Sequence, residues 1–169
     1  MQRVITVVAL VVGAIAVGQT QSTIDAKRQG QLKQLFPAGA TFSLKVLDPP
    51  HYKVFAPGPQ DVAGLAFWTT EIEPLERGYD GPIKILVGMD TKGILTGVLV
   101  AQHNEPYGDF SVDTPQFAAQ FKGKNIRDPF RVGADIDAVS RATITVTSAA
   151  RAIRISARRM ATRLLAPPK

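Results

Sequence analysis

Two apolar runs, Pro82–Met89 and Ile94–Gln102, flank the tetrapeptide Asp90-Thr-Lys-Gly93. An Asp can accept hydrogen bonds from the turn backbone, and a Gly supplies the positive φ that a tight reversal demands. The pair therefore reads as a β-hairpin, which commits the chain to an antiparallel sheet. Gly64-Leu-Ala-Phe-Trp68-Thr-Thr-Glu71 reads as a further strand, with Trp68, the only Trp, assigned to the core. Residues 37–61 are rich in Pro and Gly, with short β-like pieces at Thr41–Leu47 and Tyr52–Phe55.

Helices punctuate these strands. Ser22-Thr-Ile-Asp25 resembles a capping box, opening a helix over Ala26–Phe36 that Pro37 stops. Thr114-Pro115 marks another start, after which Phe117 and Phe121 share a face. A final helix is expected over residues 145–165, capped by Thr147 or Ser148. The expected class is α+β: a twisted antiparallel sheet with packed helices, one domain behind an N-terminal hydrophobic segment.

That segment, Val4–Val17, is apolar apart from Thr6 and follows the positive start Met1-Gln-Arg3. It has the length of a signal-peptide core and approaches that of a membrane span. Residues 1–18 are therefore read as signal or anchor, 19–61 as an N-terminal helix with a Pro/Gly-rich lead-in, and 62–169 as the principal domain. The chain has no Cys and only two His, which excludes disulfides, thiolate metal sites and iron–sulfur clusters. The last helix carries Arg151, Arg154, Arg158, Arg159 and Arg163 opposite Ala150, Ile153, Ala157 and Leu164. Three readings stay open for this basic face: a solvated surface, contact with anionic lipid, or docking to an acidic redox partner. Nucleic acid does not explain the pI of about 9.8, because an exported chain does not meet it.

The stretch richest in chemistry is Asp137-Ala-Val-Ser140-Arg141-Ala142-Thr143. An acid, a hydroxyl, a small residue and a threonine at this spacing resemble the site at which a flavin transferase joins the phosphate of FMN, donated from FAD, to a Thr side chain. Three further blocks stand in the matching order: Gly78–Asp90, Thr91–Gly108 and Pro115–Lys124. Together, over about residues 62–163, they resemble the FMN-binding domain of the Rnf complex G subunit, the C subunit of the sodium-pumping NADH:quinone reductase and NosR/NirI-type regulators. One departure stands out: Arg141 occupies a position that is usually Gly in the family. Arg is poorly suited to φ > 0, yet it could donate to a flavin phosphate.

The resemblance implies covalent FMN on Thr143. Asp137 and Ser140 would hold the loop, and Ala142 would leave the approach open. A helix beginning beyond the threonine would point free N–H groups at the phosphate. It also implies that Tyr79, His103, Glu105 and Tyr107 line the flavin ring. No catalytic or metal-ligating residue is expected. The function implied is electron transfer on the periplasmic side of a bacterial inner membrane. Its partners would be a flavin transferase and a membrane redox protein, such as a quinone enzyme or another carrier. The alternative is a non-redox assembly or sensor domain of the same fold, which Arg141 favours.

Overall fold

A computed structural model of the chain describes residues 23–58 and 61–165; Ser22 and the Val4–Val17 segment lie outside them. Six strands form one antiparallel sheet: β1 (Thr41–Phe42), β2 (Val46–Leu47), β3 (Pro50–Phe55), β4 (Val62–Trp68), β5 (Lys84–Asp90) and β6 (Leu95–Gln102). They lie in the order β1-β3-β4-β5-β6, with β2 paired to β3 off this path. Four helices complete the fold: α1 (Ala26–Leu35), α2 (Thr69–Ile72), α3 (Pro115–Ala119) and α4 (Thr143–Leu164). The expected α+β class, a curled antiparallel sheet with packed helices in a single domain, is the one observed.

The β5–β6 hairpin closes as its turn residues require. Asp90 Oδ1 accepts from Lys92 N and Ile94 N, both at 2.8 Å, and Gly93 takes φ +80°. Alternation along β4 and β5 then sends side chains to opposite faces. Leu65, Phe67, Ile85, Val87 and Met89 join one core with Val146, Ala150, Ile153, Ala157 and Met160 of α4. Ala66, Trp68 and Leu86 join Leu32 and Leu35 of α1 in a second core. The sheet is therefore sandwiched, with α4 on one side and α1 on the other. Trp68 is buried, and the Arg28 guanidinium and Lys84 ammonium lie 4.4 Å and 5.0 Å from its ring centroid.

Helix α1 sits unusually close to the sheet because of two strand glycines. Gly88 and Gly97 are register partners. A Cβ on Gly97 would stand 3.3 Å from Leu35 Cδ2, and one on Gly88 would stand 3.1 Å from Leu35 Cβ. Bare backbone at this pair leaves room for the C-terminal turn of α1.

Several local expectations shift. The α1 cap is Asp25 itself, whose carboxylate accepts from Arg28 N at 2.8 Å, so Asp25 does not serve as the third helical residue of a box. The strand read as reaching Glu71 ends at Trp68. Thr69 Oγ1 donates to Ile83 O and accepts from Ile85 N, both at 3.1 Å, and the chain turns into α2. The last helix begins two residues early, at Thr143, with Ala142 as N-cap and no capping side chain. Leu164, placed on its apolar side, is 37% exposed.

The sheet crosses the boundary drawn at residue 62, since β3 pairs with β4 from Tyr52↔Ala66 to Phe55↔Val62. Leu32, fully buried on α1, tests whether this upstream segment shares the domain's stability. Leu32→Ala should cost about 2–5 kcal/mol, the range for cavities of this kind, and preserve one cooperative transition. Urea unfolding followed by circular dichroism measures it; a loss below about 0.5 kcal/mol would mean that α1 is an appendage.

Candidate functional site

The N-terminus of α4 is the chemical focus of the molecule. Val146 N donates to Ala142 O at 2.9 Å, the first helical bond. The N–H groups of Thr143, Ile144 and Thr145 precede it and have no intrahelical acceptor. Ala142 has no side-chain acceptor to offer them. An uncapped helix start of this kind presents N–H donors and a positive dipole end to an anion.

An open cleft of about 550 Å³ lies against this helix start, lined by Tyr79, Pro106, Tyr107, Arg141, Thr143, Ile144 and Thr145. Its volume falls within the range of about 300–1,000 Å³ common for small-molecule sites. Thr143 is exposed in its lining, as are Tyr79 (69% exposed) and Tyr107 (42%). Tyr107 packs at an angle on Phe110, with ring centroids 5.4 Å apart. The site thus combines an exposed hydroxyl, helix N–H donors, one guanidinium and two aromatic faces. These features suit a ligand that carries both an anionic group and an aromatic ring, as FMN does.

Glu105 and His103 sit one layer behind the cleft. Glu105 is buried; one carboxylate oxygen accepts from Tyr79 N at 3.0 Å and from the Thr145 hydroxyl, the other from Asp80 N at 2.9 Å. Burial pushes its pKa up, but the bonds from Thr145, Asp80 and Tyr79, with the nearby His103, outweigh this and hold it below the ordinary value. Its contribution to stability is therefore present at neutral pH and is lost as pH falls through that lowered value. Gly78 lies so close that a Cβ there would overlap the carboxylate. His103 Nδ1 accepts from Glu105 N at 3.0 Å, which assigns the ring proton to Nε2, donating to Asp113 Oδ1 at 2.9 Å.

Helix α4 also anchors the segment leading into the cleft. Ser148 Oγ donates to Arg77 O at 2.6 Å and to Glu76 Oε1 at 3.0 Å. Arg151 grips the Glu76 carboxylate through Nε at 2.9 Å and Nη2 at 2.7 Å, which raises the arginine's pKa. The arginines further along are engaged too. Arg154 donates to Pro129 O, Arg158 to the carbonyls of Ile126, Arg127 and Asp128, and Arg159 to Ile72 O with an ion pair to Glu73. Arg151, Arg154, Arg158 and Arg159 thus stay at the surface while their guanidinium groups engage neighbouring carboxylates and backbone carbonyls.

Of the residues singled out from sequence, the structure gathers Tyr79, Tyr107, Arg141 and Thr143 around one cleft. Others have different work. Ala142 is buried, so its small size serves core packing under the helix start and not an open approach. The side chains of Asp137 and Ser140 are exposed and make no hydrogen bond to the loop among the described residues. The acid that orders this loop is Asp135, which accepts from Arg131 N at 2.5 Å, Phe130 N at 3.1 Å and Lys124 Nζ at 3.3 Å. Thr147 and Ser148 lie inside the helix and do not cap it. Pro106, Ile144 and Thr145 are the cleft residues that sequence reasoning left out. Reading the helix start at Thr143 would have put Ile144 and Thr145 in its first turn.

Arg141 takes φ +68°, the left-handed region, at the third position of a turn closed by Ala142 N to Val139 O at 3.0 Å. The expectation that Arg would forgo this conformation is overturned: the reversal into α4 imposes it, as in a type II turn. The strain is on the order of 1 kcal/mol. Arg141→Gly should accordingly leave stability unchanged or raise it by up to about 1 kcal/mol. Arg141→Val, β-branched, should lower it by about 1–2 kcal/mol. Thermal denaturation of both variants measures the difference, and equal melting temperatures would refute the strain.

Two comparisons with known proteins cover this region of the chain. Residues 78–157 match the family described as the FMN-binding domain. The chain is also 32% identical, over 87 residues, to the G subunit of the ion-translocating oxidoreductase complex of Vibrio vulnificus. That similarity covers 46% of this chain and 41% of the Vibrio protein, so the chain spans less than half the length of its relative. The family match begins at Gly78, beneath the Glu105 carboxylate, and takes in all the residues that line the cleft. Residues 78–157, a little under half of the chain, form an FMN-binding domain.

Proposed function

We propose that this protein is a membrane-associated electron carrier, exported to the periplasmic side of the inner membrane, that holds FMN through a phosphoester on Thr143. The observation that carries this reading is the position of Thr143: an exposed hydroxyl on the first residue of an uncapped helix, inside the cleft of an FMN-binding domain. The helix N–H groups and the Arg141 guanidinium are suited to the phosphate, and Tyr79 and Tyr107 to the ring faces.

In attachment, the Thr143 oxygen bonds to the FMN-side phosphorus of FAD, the pyrophosphate linkage breaks and AMP departs. A flavin transferase takes the hydroxyl proton. Asp137 and Ser140, exposed on the approach to Thr143, are free to meet that enzyme. Bound FMN supplies the electron-transfer chemistry; the protein supplies attachment, position and electrostatic surroundings. The similarity to a component of an ion-translocating oxidoreductase complex supports a membrane redox partner, such as a quinone enzyme or another carrier. Val4–Val17 would serve as signal or anchor.

Expression beside a flavin transferase should yield protein heavier by one FMN phosphoester, with in-gel fluorescence that survives denaturation. Thr143→Ala should abolish that fluorescence and shift stability by no more than about 0.5 kcal/mol, because the side chain is exposed. Thr143→Ser should retain some labelling. A bare polypeptide mass would favour a non-redox binding domain, and flavin mapped by peptide mass to Thr145 or Thr147 would move the attachment site. An alkaline phosphatase fusion after Lys169 should be active in cells; inactivity beside an active β-galactosidase fusion would refute export.

A further inference from the structure

Glu105 is a buried carboxylate with no Lys or Arg ion pair among the described residues. Its charge is met by three directed donors: two consecutive backbone N–H groups, Tyr79 and Asp80, and the hydroxyl of Thr145. These donors belong to separate pieces of the cleft. Tyr79 lies in the turn closed by Gly78 N to Gly81 O at 2.7 Å, and Thr145 lies in the first turn of α4. Glu105 itself begins the segment that supplies Pro106 and Tyr107 to the cleft lining.

We propose that Glu105 is the positioning residue of the cleft: one carboxylate ties together the Tyr79 wall, the Tyr107 wall and the helix start that bears Thr143. It does not line the cleft, so it acts on a ligand only by fixing the groups that do. The proposal rests on the flavin reading of the site.

The geometry selects glutamate. A carboxylate offers acceptors on both oxygens, which three converging donors require. Glutamine keeps the shape but turns an NH₂ group against at least one donor, leaving it unpaired in a buried place. Aspartate is a methylene short. The surroundings are fitted to the carboxylate as well. Gly78 lacks the Cβ that would overlap it, and Gly108 lacks the Cβ that would overlap the ring of His103, whose Nδ1 accepts from Glu105 N. His103 is in turn tied to Asp113. The brace thus runs from Asp113 through His103 and the Glu105 backbone to the Tyr79 turn.

The test uses the full chain expressed with a flavin transferase. Two properties are measured in the wild type, Glu105→Gln, Thr145→Val and Thr145→Ser. One is hydrogen exchange at the Tyr79 and Asp80 amides against that of β5. The other is the fluorescence and anisotropy of attached flavin. In Glu105→Gln, and more weakly in Thr145→Val, those two amides should exchange at least about tenfold faster while β5 keeps its protection. Flavin fluorescence should rise and its anisotropy fall, as a ring released from its wall requires. Thr145→Ser, which keeps the donor, should restore both properties. Wild-type flavin signals in a labelled Glu105→Gln protein, or unchanged Tyr79 and Asp80 amides, would overturn the proposal. A wild-type chain that takes up no flavin would sink the flavin reading and this proposal together, and is told apart because it is seen before any variant is made.

Discussion

The structure depends on how closely α4 packs across β5. The buried stripe of this helix is built largely from small residues, Ala149, Ala150, Ser156 and Ala157, with Val146, Ile153 and Met160 filling the gaps between them. Small side chains bring the helix near the strand, and Phe67, Ile85 and Val87 complete the layer from the sheet side. A rigid helix held along its buried stripe has a fixed end. That end, at Thr143, is where backbone N–H groups are left over. The packing and the anion-binding geometry therefore share one cause: the helix is placed by its core face and starts where no side chain can cap it.

A fixed helix start would accomplish little if the segments opposite it were loose. The turn at residues 78–81 and the segment after β6 contain little regular structure, and segments of that kind are mobile by default. Here they are fastened to α4 by polar contacts: Ser148 and Arg151 to Glu76 and Arg77, and Thr145 through Glu105 to Tyr79 and Asp80. Helix α4 thus bears both the Thr143 hydroxyl and the pins for the segments around it.

This division of labour explains what could be read from sequence. The β5–β6 hairpin was legible because Asp90 and Gly93 act within a few residues of one another, and alternation reports the faces directly. Thr143 was singled out because its neighbours along the chain form a local pattern. Tyr79 and Tyr107 could be placed near the site only through family resemblance, since nothing local links them to α4. The roles of Glu105, Ala142 and Asp135 were not legible. Each depends on which element lies against it in three dimensions: a turn some twenty-five residues upstream, the core beneath a helix start, or a loop folded back on its own acid. Sequence suggested polar and small residues near a flavin, and packing decided which faced the cleft and which braced it.

The basic helix shows the same effect on electrostatics. Five arginines on one helix suggest a positive surface, and charge composition alone cannot distinguish an exposed stripe from a set of buttresses. Arg158 spends its donors on three consecutive carbonyls, residues 126–128, in a segment with no regular structure to satisfy them. Arg154 meets Pro129 O next to them. A guanidinium is suited to this work because its planar donors reach several acceptors at once, whereas an ammonium would serve as a point charge. These arginines hold in place the segment that leads through Asp135 and Asp137 to Thr143. Their charge still adds to the positive potential of the surface, but their placement is explained by the loop that they hold.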